Sequence, residues 1–186
     1  MHSQDSRRRV VLVLGGVRSG KSRYAQQLAA CGGRVAVIAT AEGRDEEMRQ
    51  RIARHRNERP ASWTTIEAPI ELPSALTEAG GRFDTLLVDC LTLWASNLLE
   101  HAAGNTDRVF QYGQSLADAL KHCHASVVLV SNEVGSGIVP DNELGRLYRD
   151  VLGGLNQRIA TVADEVVLLV AGCPLVIKQA GEAVPR

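Results

Sequence analysis

Gly15-Gly16-Val17-Arg18-Ser19-Gly20-Lys21-Ser22 stands directly behind the apolar run Val10–Leu14 and directly ahead of the helix-patterned stretch Arg23–Cys31. It satisfies G-x-x-x-x-G-K-[ST] at every position. In this order of strand, loop and helix, the glycines let backbone N–H groups converge on phosphate oxygens at a helix N-terminus, whose dipole also favours anions. Lys21 is then placed to reach the β- and γ-phosphates, and Ser22 to offer its hydroxyl to Mg2+. All eight residues are read as nucleotide-binding, with Lys21 catalytic as well. A Gly-rich turn that only imitates the motif would need neither the strand before it nor the helix after it.

Outward from this loop, apolar β-branched runs recur at Val10–Leu14, Val35–Ala39, Thr85–Val88, Ser126–Val130 and Glu165–Val170. Helical spacing fills roughly 21–31, 44–58, 70–79, 91–101, 107–123 and 143–163. Strands buried on both faces and alternating with helices predict an α/β domain with a mainly parallel sheet flanked by helices. The tail, Glu165–Val170, Gly172-Cys173-Pro174 and Leu175–Lys178, reads as an antiparallel edge hairpin. Residues 1–8 are expected to be a flexible N-terminus and 9–186 a single catalytic domain, since no Pro/Ser-rich linker, repeat or low-complexity tract divides the chain. Thr85-Leu86-Leu87-Val88-Asp89 supplies the acid expected at the end of a neighbouring buried strand, able to hold Mg2+ directly or through water. The metal set is thus Ser22 and Asp89. A regulatory GTPase is disfavoured, because Cys90-Leu91-Thr92 follows Asp89 where a D-x-x-G belongs and no N-K-x-D occurs.

The 186 residues carry 21 Lys+Arg against 21 Asp+Glu. A formal charge of zero argues against nucleic acid or an anionic membrane as the main partner. That neutrality is a cancellation: positions 1–59 hold 13 basic and 6 acidic residues, and 60–186 hold 8 and 15. The basic third contains the phosphate loop, which concentrates positive charge where a triphosphate binds. No run approaches the ~18–20 apolar residues of a membrane span. The apolar stretch behind Arg7-Arg8-Arg9 ends at Gly15, too short for the h-region of a secretion signal, and the expected setting is cytoplasmic. The four cysteines form no C-x-x-C pair, and the adjacent side chains of His122-Cys123-His124 cannot all face one ion.

Arg44–Arg59 reads RDEEMRQRIARHRNER, a charged helix with Asp45 and Glu47 spaced i, i+4 to Arg49 and Arg51. Met48, Ile52 and His55 share one face, which points at the body of the protein. Arg51, Arg54, Arg56 and Arg59 surround His55 with charge that suits polyphosphate. Neutral imidazole is a competent nucleophile toward phosphorus, yet spacing alone leaves attack, base catalysis and simple packing open.

These pieces occur together, and in order, with Ile38-Ala39-Thr40, Arg59-Pro60-x-x-Trp63, Asn132-Glu133-Val134-Gly135-Ser136-Gly137-Ile138-Val139-Pro140, Arg149-Asp150 and Asn156-Gln157-Arg158. So assembled, the chain resembles the bifunctional adenosylcobinamide kinase / adenosylcobinamide-phosphate guanylyltransferase family of cobalamin biosynthesis, from about residue 10 to 178. The resemblance implies a RecA-like P-loop NTPase fold and a homotrimer. It also implies two reactions: phosphorylation of adenosylcobinamide by ATP or GTP, and transfer of GMP from GTP to adenosylcobinamide phosphate through a GMP-histidine. His55 is the matching histidine, and Ile38, Ala39, Thr40, Arg56, Glu67 and Asp89 are matching nucleotide-site positions. Asn132 and Glu133, on a loop at the carboxyl end of a strand, are candidates for the cobinamide side. Two alternatives stay open, a single-activity P-loop kinase and a RecA-like ATPase module.

Overall fold

The computed structural model describes residues 8–179. Its elements run β1 (Val10–Gly15), α1 (Lys21–Ala30), β2 (Val35–Ala39), α2 (Glu46–Asn57), β3 (Thr64–Glu67), α3 (Leu72–Gly80), β4 (Thr85–Asp89), α4 (Leu91–His101), α5 (Thr106–His122), β5 (Ser126–Asn132), α6 (Glu143–Val162), β6 (Glu165–Val170) and β7 (Cys173–Lys178). The strands form one sheet in the order β3-β2-β4-β5-β1-β6-β7, parallel throughout except for the β6–β7 pair.

The apolar runs are continuous because both faces of the sheet are covered. On one face Val10, Leu12, Ile38, Leu86 and Leu129 pack with Leu76, Trp94, Leu116 and Leu155 from α3, α4, α5 and α6. On the other, Val11, Val13, Val37, Leu87 and Val130 pack with Ala25 and Ala29 of α1. Alternate residues of each strand thus serve opposite layers. Helix α4 also pins two strand exits. The Asn97 amide donates to Thr40 O at 2.8 Å and Pro69 O at 3.1 Å, and Trp94 Nε1 donates to Ile70 O at 2.9 Å. No helix among the described residues is long and apolar enough to cross a membrane.

Four expectations are revised. Strand β3 was not foreseen: Thr64–Glu67 is a four-residue, half-exposed strand at the sheet edge, with no apolar run to announce it. The acidic strand β4 is not next to β1, because β5 lies between them; Gly15 and Asp89 share only the carboxyl edge of the sheet. The hairpin turn is Ala171-Gly172, both at positive φ (51° and 82°), as a two-residue turn between twisted strands requires, so Cys173 and Pro174 already belong to β7. Asp45 caps α2 by accepting from Met48 N at 2.7 Å, and Arg49 pairs with Glu46 at 3.1 Å in its place. Of the expected flexible N-terminus, residues 1–7 lie outside the described residues, while Arg8 donates to Leu120 O.

Candidate functional site

The phosphate loop turns between β1 and α1 with Arg18 at φ 58° and Gly20 at φ 93°. Gly20 is the N-cap residue of α1, and a Cβ there would stand 3.3 Å from Gly172 Cα in the β6–β7 turn. Gly15 is equally constrained, since a Cβ would meet Ser19 Oγ at 2.4 Å and Leu169 O at 2.8 Å. The loop is braced from behind by Gly172 N donating to Ser19 O at 2.9 Å. Gly16, Val17 and Arg18 are exposed, so the curled backbone faces outward, while Ser19 is buried with its hydroxyl unpartnered.

Beside the loop lies a cavity of about 210 Å³ lined by Val17, Lys21 and Ser22, by the α2 face through His55 and Arg56, and by Ala39, Glu67, Asp89 and Asn132 at four strand ends. A larger concavity, about 1090 Å³, opens near the amino ends of the strands, but two of its arginines already have acid partners, Arg9 with Glu165 and Arg34 with Asp84. It offers no comparable constellation, and the smaller cavity is the candidate site.

Within it, Lys21 Nζ donates to Gly16 O at 3.1 Å. Burial lowers the Lys21 ammonium below its ordinary value, nearby Cys90 and Asp89 oppose this, and Arg51 pushes the same way as burial. A lysine crowded by desolvation and a second cation is stabilised by an incoming anion. Helix α2 has no fully buried residue; Met48, Ile52 and His55 are its half-buried face, spaced as the sequence predicts, and Arg59, just past its C-cap, is half-buried beside them. Two of these meet Asp89. Arg59 Nη2 donates to Asp89 Oδ2 at 2.7 Å, with the arginine side chain 8% and the aspartate 13% exposed, and His55 Nδ1 stands 3.7 Å from the same oxygen. Burial pushes the Asp89 carboxyl up, but His55 and the Arg59 charge outweigh it and hold it below the usual carboxylate range.

Ile38 and Thr40 do not reach the cavity. Ile38 is a core residue, and Thr40 is fully buried, its hydroxyl donating to Cys90 O at 2.7 Å and accepting from Cys90 N at 2.9 Å; alternation along β2 turns only Ala39 to the site. Glu133 organises its own loop, accepting from Ser136 N at 2.9 Å and Gly135 N at 3.1 Å, and does not line the cavity. Asn132 does, next to Gly15 in the β1–β5 register, its carbonyl held by Asn156 Nδ2 at 3.0 Å. Arg149 donates to Gly135 O on the same loop. The site also contains Thr65, Cys90 and Thr92, which carried no sequence signal because they come from the unforeseen strand or from just beyond an apolar run.

Mg2+ takes one or two protein oxygens and completes its shell with phosphate and water. Ser22, on the first turn of α1 and on the cavity wall, fits such a site. Asp89 fits less directly, because its Oδ2 is engaged by Arg59.

A phosphate-cradling loop between a central parallel strand and its helix, with an acidic strand end facing the same edge, defines a P-loop NTPase. A solved structure from Pyrococcus horikoshii OT3, titled only as a structural study, has the same fold: TM-score 0.57, covering 95% of this chain and 91% of that one, at 10% identity. The sequence narrows the class, for the chain belongs to the cobinamide kinase / cobinamide phosphate guanyltransferase family, which matches residues 11–177. It is 46% identical over 168 residues to the bifunctional adenosylcobalamin biosynthesis protein CobP of Pseudomonas aeruginosa, covering 90% of this chain and 96% of that one. To CobU of Salmonella typhimurium, with the same descriptive name, it is 42% identical over 180 residues, covering 91% and 99%.

Proposed function

We propose that this protein phosphorylates adenosylcobinamide with ATP or GTP and then transfers GMP from GTP, through a GMP adduct of His55, to adenosylcobinamide phosphate, giving adenosylcobinamide-GDP and pyrophosphate. The observation that carries this reading is that His55 and Lys21 line one cavity, so a triphosphate cradled by residues 15–22 lies within the same chamber as a nucleophile. In the first reaction Lys21 and the loop N–H groups stabilise the transferring γ-phosphoryl. In the second, the His55 lone pair forms a nitrogen–phosphorus bond at the α-phosphorus as the bond to the β-phosphate bridging oxygen breaks. Arg51, Arg56 and Lys21 supply the positive charge that offsets the departing pyrophosphate. Ser22 would hold Mg2+, with Asp89 reaching it through water; the ion would supply charge neutralisation on the phosphates. Ala39, Glu67 and Asn132 form the remaining walls. A cytoplasmic setting agrees with these substrates. A homotrimer follows from the family resemblance, and the exposed edge strand β7 with Leu175, Val176 and Ile177 is the surface that would support self-association.

Incubation with α-labelled GTP and Mg2+ tests the reading. An acid-labile protein–GMP adduct, absent in His55→Ala, is expected. Full guanylyl transfer by His55→Ala would sink the nucleophile assignment. Phosphorylation of adenosylcobinamide without any adduct would leave only a kinase, and polymer-stimulated hydrolysis without either would leave an ATPase module.

A further inference from the structure

Helix α2 carries the histidine, yet no residue of that helix is fully buried. Met48 and Ile52 give α2 only partial apolar packing, which leaves a role for a polar contact in registering the ring over the sheet edge, and the structure holds one. His55 lies in the last turn of α2 and Arg59 in the bend just past its C-cap Glu58, and both converge on one oxygen of one carboxylate, Asp89 Oδ2 at the end of β4. The Arg59 bond, at 2.7 Å and nearly excluded from solvent, fixes where that oxygen sits. The imidazole nitrogen set against that oxygen is Nδ1, at 3.7 Å, an ion-pair separation somewhat longer than a closed hydrogen bond.

We propose that Asp89 is the positioning residue for His55: it orients the ring through Nδ1–H, with Arg59 holding the carboxylate in place, and leaves Nε2 as the nitrogen that attacks. A carboxylate on one ring nitrogen selects the tautomer in which the other carries the lone pair. This inference rests on the guanylylation reading above and specifies its geometry. As the Nε2–phosphorus bond forms and pyrophosphate leaves with the electron pair of the broken phosphorus–oxygen bond, the Nδ1 proton stays in place. The ring becomes a phosphoryl-imidazolium whose positive charge faces Asp89. When a phosphate oxygen of adenosylcobinamide phosphate attacks the same phosphorus, the nitrogen–phosphorus bond breaks, its electron pair returns to Nε2, and the ring is neutral again. Aspartate here serves the histidine in both half-reactions, a role separate from any contact with nucleotide or metal.

The experiment uses the full chain in two arms. In the first, [15N]histidine-labelled wild-type protein is compared with His55→Gln to assign the ring, and the long-range 1H–15N spectrum is recorded where the ring is neutral. Protonated Nδ1 and bare Nε2 are expected; a protonated Nε2 with bare Nδ1 overturns the proposal, and this arm needs no Asp89 variant to fold. In the second, the rate of adduct formation is followed against α-labelled GTP concentration in wild type and Asp89→Asn. The rate at saturating GTP is expected to fall between about 10- and 1000-fold, with half-saturation moved less than about threefold. A loss confined to half-saturation would make Asp89 a nucleotide or metal ligand and refute positioning, as would an unchanged rate. Absence of any adduct in the wild-type protein would instead overturn the guanylylation reading itself.

Discussion

Arg59→Ala is the substitution whose cost can be worked most directly from the structure. The guanidinium and the Asp89 carboxylate are 8% and 13% exposed and joined at 2.7 Å, so the bond is charge-assisted and largely desolvated. Such a bond contributes about 1.5–3 kcal/mol, and stripping one partner from a fully buried pair costs about 3–5 kcal/mol because the other charge is stranded. Here His55 remains near the carboxylate and the cavity admits water, so the lower range applies, about 2 kcal/mol. For a chain of this size that lowers Tm by roughly 4–8 °C. Arg59 Nε is itself buried without a partner, which argues against any larger figure. The sign with pH follows from Asp89, whose carboxyl lies below its ordinary value. Its stabilising contribution is complete above the unfolded value, about 3.9, and is lost as pH falls through the lower folded value. The gap in Tm between wild type and Arg59→Ala should therefore be constant near neutrality and narrow below about pH 4. Thermal unfolding by circular dichroism on wild type, Arg59→Ala, Asp89→Asn and the double variant gives a coupling energy of about 1.5–3 kcal/mol if the pair acts as described. A Tm within about 2 °C of wild type, or a cycle additive to about 0.5 kcal/mol, would refute the pairing and with it the anchoring of α2.

Gly20→Ala places a Cβ at φ 93° and 3.3 Å from Gly172 Cα; a loss of about 1–2 kcal/mol and weaker nucleotide binding are expected by urea unfolding and by titration with a fluorescent GTP analogue. Lys21→Ala should raise the Kd of that analogue about 10- to 100-fold, the equivalent of one charge-assisted contact, and weaken both reactions; an unchanged Kd would exclude Lys21 from the phosphates. Asn97→Leu removes the donor shared by Thr40 O and Pro69 O and should cost about 2–4 kcal/mol in urea unfolding, where a loss under 1 kcal/mol would show that both carbonyls find other partners.

The central strands and the phosphate loop were legible because their signals are local. A strand buried on both faces must be an apolar run, and the loop announces itself by its glycines, Gly20 taking φ 93° although Arg18 reaches φ 58° without one. The α2 face was legible through spacing alone. Strand β3 was not, because a short edge strand has one solvated side and needs no apolar run. The position of β4 beyond β5 was not either, since strand order is set by crossovers that leave no mark in the strand itself. Ile38 and Thr40 were placed in the site by resemblance, yet strand alternation sends both inward. Arg59 stood out only as one of several cations, because its partner Asp89 lies 30 residues away and is brought to it by the fold.

The double bond from Asn97 has a consequence for any attempt to reshape the cavity. Ala39 and Glu67 are register partners on β2 and β3, and the backbone just beyond each strand hangs from the same buried amide of α4. Those two walls therefore behave as one panel on a single rivet. Libraries varied at positions 39 and 67 would change what the panel presents but not how far it stands from the phosphate loop. That distance is set from inside the core, by the pairing of β2 with β4 and by the amide at position 97, where a change of selectivity cannot be separated from a change of stability.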